Sequence, residues 1–182
     1  MIVTIKNILF ICVIVLSFQM VHSQTTYMTK KGHLKMVGRV NDKPVIAESH
    51  KLSVFLDYKT KQIKGTLDLK SLVSKIPELK NYLKEQQQPL MVYFSGTIPS
   101  DDFMSQPHQP LIFNWEVTVA FQNKKFKVIL KTTLQHIEEG SVFSCRLNAM
   151  GNVNTDIIGL NKIIPDLDKT IEIQFIQFIL RV

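Results

Sequence analysis

The chain has 182 residues, 45% of them apolar and 20% charged, with a formal net charge of +7. That is enough for one domain with a real core. The basicity forms no concentrated stripe, which argues against nucleic-acid binding, and two cysteines exclude a disulfide scaffold.

The first segment reads as a secretory signal peptide, residues 1–23. Lys6 forms a basic n-region, Ile8 to Phe18 is an apolar run, and Val21-His22-Ser23 suits cleavage. The run is too short to span about 30 Å of hydrocarbon comfortably. Cys12 has Leu9 three residues ahead, but the apolar stretch before it is too short for a lipoprotein box. The mature chain is expected to be one domain, residues 24–182, secreted or periplasmic. Losing Lys6 and no acid lowers the charge from +7 to +6. Only Cys145 remains, so no internal disulfide is expected, and Cys145 reads as a small buried hydrophobe.

From there the dominant signal is apolar alternation at the strand period of two. "GHLKMVGRV" and "KPVIAES" read as a hairpin with Asn41-Asp42 at its tip. "KLSVFLD" alternates Leu52, Val54 and Leu56. After the polar turn "YKTKQ", "IKGTLDL" alternates Ile63, Leu67 and Leu69. In "SLVSKIPELKNYLKEQQQ" the period changes. Leu72, Ile76, Leu79 and Leu83 recur at helical spacing, and Pro77 fits only a first turn, so a helix is expected from near Ile76. Lys80 and Lys84 suggest a membrane-facing surface, but Glu78 and Glu85 share the polar face, so a helix capping a barrel end is expected. "PLMVYFSGTI" is the next strand, with Gly96 a bend or bulge.

"LIFNWEVTVAF" is the cleanest strand. Eleven residues at ~3.3 Å each give a strand of about 36 Å. "FKVILKTTL" pairs with it as a hairpin, "HIEEGS" reads as a turn, and "VFSCRLNAM" follows. "NTDIIGLNKIIPDLDKT" is irregular, broken by Gly159 and Pro165. The last strand, "KTIEIQFIQFILRV", shifts its apolar parity after Phe175. A bulge near Phe175-Ile176 would return Ile176, Phe178 and Leu180 to the face of Ile171, Ile173 and Phe175.

These elements predict an all-β fold: a closed or nearly closed antiparallel barrel of eight strands with one inserted short helix. Such an interior is either filled by side chains or holds one small ligand. The expected barrel interior, and the candidate ligand-binding wall, is Phe113, Trp115, Val117, Val119, Phe121, Phe126, Val128, Leu130, Phe143, Leu147, Ile173, Phe175 and Phe178.

Catalytic signals are poor. His33, His50, His108 and His136 have no ligand spacing such as HxxxH, so no metal site and no cofactor are expected. The acidic pairs Asp101-Asp102, Glu138-Glu139 and Asp166/Asp168 fall in predicted turns, where solvation explains them. Ser95 lacks the nucleophile-elbow glycines, and there is no phosphate-cradling glycine loop. The chain does not read as an enzyme.

The segments "TKKGHLKMVGR", "VIAESHKLSVFLDYKTKQIKGTLDLKSL" and "DKTIEIQFIQFIL" resemble the YceI-like domain family, in its short secreted Bacteroidetes form. "PLMVYFSGTI" resembles that family's strand of pattern FP-x-A-x-F-x-G-x-I, with Pro89, Phe94, Gly96 and Ile98 matching. "NTDIIGLNKII" resembles its late loop. Two places depart from the family: where acidic residues and Phe are usual, "NYLKEQQQ" has Glu85 alone, and "FQNKKFKV" reduces a usual strand end. The resemblance implies a lipocalin-like barrel enclosing a long apolar ligand, a polyisoprenoid, quinone-like molecule or fatty amphiphile, outside the cytoplasm. Peripheral membrane contact is compatible with that role. The alternative is the same barrel with a filled core, serving as a structural or interaction module. An outer-membrane barrel is disfavoured by Glu116, Lys127 and Lys131 on long strands and by the Arg181-Val182 terminus.

Overall fold

A computed structural model describes residues 26–57, 59–99, 109–139 and 142–181; residues 136–139, 142–143 and 177–181 are described by their backbone alone. The expected signal peptide and the pair Asp101-Asp102 lie outside the described residues.

Strands β1 (Thr26–Val40), β2 (Lys43–Asp57), β3 (Gln62–Asp68), β5 (Met91–Thr97), β6 (Leu111–Phe121), β7 (Lys124–Glu139), β8 (Val142–Asn154) and β9 (Thr170–Arg181) form one antiparallel sheet. Its order is β1-β9-β8-β7-β6-β5-β3-β2, and β2 pairs back onto β1. The result is the expected closed eight-stranded antiparallel barrel. The two-residue β4 (Val73–Ser74) adds to the free edge of β2 beside Ala47 and Glu48.

Turn chemistry sets the first hairpin. Asn41 and Asp42 both have positive φ, 51° and 63°, the pair of left-handed residues a two-residue type I′ connection needs. At the β2–β3 turn, the Asp57 carboxylate accepts from the backbone N–H groups of Lys59 (2.9 Å) and Thr60 (3.2 Å). Thr60, first through its side chain, and then Lys59 hold that carboxyl below the ordinary range.

Two expected strands, at "KPVIAES" and "KLSVFLD", are one. Ala47 and Ser49 face inward, and so do Leu52, Val54 and Leu56, which are of the other parity. A bulge absorbs the change: Leu34 pairs with Ser49 and Gly32 with Leu52, so His50 and Lys51 together oppose His33. A second bulge sets Lys30 and Lys31 opposite Ser53, between the pairs Thr29–Val54 and Gly32–Leu52. A third answers the parity shift of the last strand. Phe175 pairs with Ala149 and Phe178 with Leu147, so Ile176 and Gln177 oppose the single Asn148. Phe178 and Leu180 thereby occupy register positions opposite the buried Leu147 and Cys145. Ile176 differs from expectation. It is a bulge residue paired with His33, not a member of the inward series.

Gly96 makes no bulge, because pairing runs unbroken from Gln62–Thr97 to Asp68–Met91. Its reason is close approach: a Cβ there would lie 2.2 Å from Trp115 Nε1 and 2.4 Å from the Glu116 carbonyl oxygen. Glu138 and Glu139, expected in a turn, are in β7, paired with Phe143 and Val142.

Helix α1 (Pro77–Glu85) starts one residue after Ile76, with Pro77 in its first turn. It buries Leu79 and Leu83 against Ala47 and Ile164 and so covers one end of the barrel. Burying each leucine is worth about 1.5–3 kcal/mol. The Asn154 side chain accepts from Asp156 N (2.8 Å) and caps a one-turn helix, α2 (Thr155–Ile158). Gly159, at φ 75°, ends it. Pro165 and its neighbours then return the chain to β9 across the same end as α1.

Candidate ligand-binding site

The barrel is half packed and half hollow. At the end holding the β2–β3 turn, Leu56, Ile63, Trp115, Leu134 and Leu147 are each at most 1% exposed and fill the interior. Tyr27 packs against this cluster. Burial, and secondarily the neighbouring Cys145, push its phenol pKa up. At the end covered by α1 lies a cavity of about 420 Å³.

An aromatic floor divides the halves. Phe94 meets Trp115 edge-on, with centroids 6.2 Å apart at 74°, and stacks on Phe175 at 5.5 Å and 30°. Phe94 and Phe175 line the cavity, while Trp115 lies below them in the packed half. Gly65 makes room for this floor, since a Cβ there would fall 2.1 Å from Phe94 Cζ.

The walls are strand residues of inward parity. Of the candidate set, Val117, Val119, Phe121, Phe126, Val128, Leu130, Ile173 and Phe175 line the cavity. Phe113, Trp115 and Leu147 do not: they belong to the main core cluster in the packed half. The side chains of Phe143 and Phe178 lie outside the described residues. The roof comes from segments absent from the candidate set. Leu79, Tyr82 and Leu83 of α1 and Ile163, Ile164 and Leu167 of the late loop cover the cavity. Alternation could not find these residues, because they are not on strands. The helical spacing of Leu79 and Leu83 was the available signal.

Polar side chains on the lining are few: Tyr82, Gln122, Lys124 and Lys162. Lys124 Nζ donates to the Ile157 carbonyl oxygen at 3.3 Å, where the β6–β7 turn meets α2. Lys124 and Lys162 are both exposed, so the rim carries positive charge above an apolar interior. The lining contains no carboxylate, histidine or cysteine among the described residues. An apolar lining with a few polar groups at its edge is the composition of small-molecule pockets.

The outer face mixes exposed apolar residues, Ile112, Ile129 and Met150, with charge. Glu116 and Lys127 form an exposed ion pair at 2.7 Å on adjacent strands, with Asn114, Thr118 and Lys131 also exposed. A lipid-spanning barrel carries its apolar band outward.

No family model matches the sequence, and no curated protein matches it. Solved structures match the fold. A polyisoprenoid-binding domain from Saccharophagus degradans, implicated in plant cell wall breakdown, superposes with a TM-score of 0.62 at 9% identity, covering 87% of this chain and 98% of that one. BcnA of Burkholderia cenocepacia superposes at 0.56 with 13% identity, covering 84% and 96%. At these identities the likeness is one of architecture, and this chain shares with both proteins a closed antiparallel barrel over nearly its whole described length.

Proposed function

We propose that the protein is a non-catalytic, extracytoplasmic binding protein of YceI-like type, in its short Bacteroidetes form, that encloses the apolar chain of an amphiphile. The observation that carries this is the cavity between the aromatic floor and the α1 roof. Its volume of about 420 Å³ falls within the roughly 300–1,000 Å³ of pockets for drug-sized ligands. The ligand class is an isoprenoid, quinone-like or fatty chain. That one architectural neighbour is a polyisoprenoid-binding domain supports this class. The tail would bury against Val119, Phe126 and Phe175, at about 25 cal/mol per Å² of apolar surface. A carboxylate or phosphate head would sit by Lys124 and Lys162. Export by the segment at residues 1–23 would place the protein where such lipids are carried.

The test is native mass spectrometry of the protein purified from its own secretory compartment, with lipid extraction of the same sample. A stoichiometric adduct of isoprenoid or acyl mass is expected. A clean unliganded mass, with none gained on incubation with isoprenoid quinones or fatty acids, would overturn the reading in favour of an interaction module.

A further inference from the structure

The bulged region of the barrel wall gathers three metal-ligating side chains that sequence spacing does not bring together. His33 lies on β1, and Glu48 and His50 lie two residues apart on β2. The alternation of a strand puts Glu48 and His50 on one face, the outward one, since Ala47 and Ser49 between and beside them are buried. His33 flanks the inward-facing Leu34 and points the same way as that pair. The bulge then decides the geometry. Because His50 and Lys51 share the position opposite His33, the two imidazoles meet across the strands and stack, with centroids 4.2 Å apart at 27°. Bulges commonly re-aim a side chain in this way.

His33 Nε2 lies 3.4 Å from Glu48 Oε2. That nitrogen is buried and makes no hydrogen bond to any described residue. One ligand atom from each of the three residues lies within 4.8 Å of the others. Two nitrogens on one zinc ion, each at about 2.0–2.1 Å, are separated by roughly 3.3 Å in a tetrahedral site. A side-chain rotation closes the difference, and the exposed His50 has room to make it.

We propose that His33, Glu48 and His50 form a three-ligand site for a divalent transition-metal ion of the zinc class on the outer wall of the barrel. The donor set, two imidazoles and a carboxylate, suits zinc and its neighbours over calcium or magnesium, which take oxygen ligands. Three protein ligands leave a fourth position open to solvent, and bound metal would tie β1 to β2 across their irregular pairing. The simpler alternative is a His–Glu ion pair with a stacked imidazole and no affinity for metal. Lys35, paired with Glu48, and Lys51 add positive charge nearby and favour that alternative.

The experiment is calorimetric titration of the tag-free protein with Zn²⁺ at pH 7.5, with Co²⁺ as the spectroscopic probe. One equivalent is expected, with the visible bands of a four- or five-coordinate Co²⁺ complex and a metal-dependent rise in Tm. His50→Ala and Glu48→Gln should each weaken binding on the order of tenfold or more and abolish that rise. Glu116→Gln, at the exposed ion pair with Lys127 on β6, should leave both unchanged. His50 is exposed and Glu48 half-exposed, so neither substitution removes core packing. Absence of binding, or binding that survives both His50→Ala and Glu48→Gln, would overturn the proposal.

Discussion

Trp115 is the chain's one tryptophan and is fully buried, yet the residue that most constrains it has no side chain. Gly96 sits on the neighbouring strand region, where a Cβ would meet both the indole nitrogen at 2.2 Å and the backbone oxygen of Glu116 at 2.4 Å. A ring alone could turn aside, but the Glu116 oxygen belongs to the backbone of β6 and cannot move without shifting the strand. Gly96→Ala is therefore expected to destabilise by about 1–3 kcal/mol or more, as overpacked cores do. Urea unfolding measures the loss, and tryptophan emission should shift to the red as the floor opens. An unchanged midpoint would show that the interior is softer than its packing indicates. Alternation placed Trp115 inward from the sequence alone. It could not explain Gly96, which read as a bend or bulge, because the cause lies in a ring contributed by a different strand.

Strand bulges explain both where sequence reading succeeded and where it stopped. The parity change after Phe175 was visible as a break in alternation, and it is a bulge. The same break between Ser49 and Leu52 was read as a gap between two strands, since a short polar interruption looks the same either way. The bulges also compensate one another. From Met28 to His33 β1 advances five residues, and from Arg181 back to Ile176 β9 does the same, so their ladder stays in register although both strands are bulged. Deleting Gln177 alone would regularise β8–β9 pairing but break β1–β9 register, and deleting Lys31 alone would remove one of the two β1–β2 bulges and break the same register. Deleting both should restore the β1–β9 register. Each single deletion is expected to lower the urea midpoint sharply and the double deletion to recover most of it, a coupling of one to three kcal/mol or so. Additive losses would mean that the bulges do not act as a set. The cross-strand cluster of His33, Glu48 and His50 was illegible for a related reason. Its spacing exists only once register is known, and a one-residue slip would send the side chains to opposite faces.

At the scale of the molecule, the sequence posed a choice between a filled and a hollow barrel, and the chain is both. Strand parity made the inward set legible but could not divide it, because Trp115 and Val117 have the same parity and sit on opposite sides of the floor. That division depends on the Phe94 ring, from a shorter strand, and on the roof of α1 and the late loop. The packed half holds the fold, so the hollow half can be altered without unfolding the chain. Val119→Trp should fill the space beside Phe126 and Phe175 while leaving Leu56, Ile63, Trp115 and Leu134 in place. A bound ligand stabilises by RT ln(1 + [L]/Kd), about 2.7 kcal/mol at a hundredfold excess over Kd. For a domain of this size that corresponds to a rise in Tm of about 5–11 °C. The parent protein should show this rise with a fatty acid or isoprenoid quinone, together with a change in Trp115 emission through the Phe94 contact. The Val119→Trp variant should keep a cooperative transition and lose the ligand-dependent rise. A variant that still gains stability from the ligand would place binding outside the hollow half, and the cavity would then be a packing defect that the packed half tolerates.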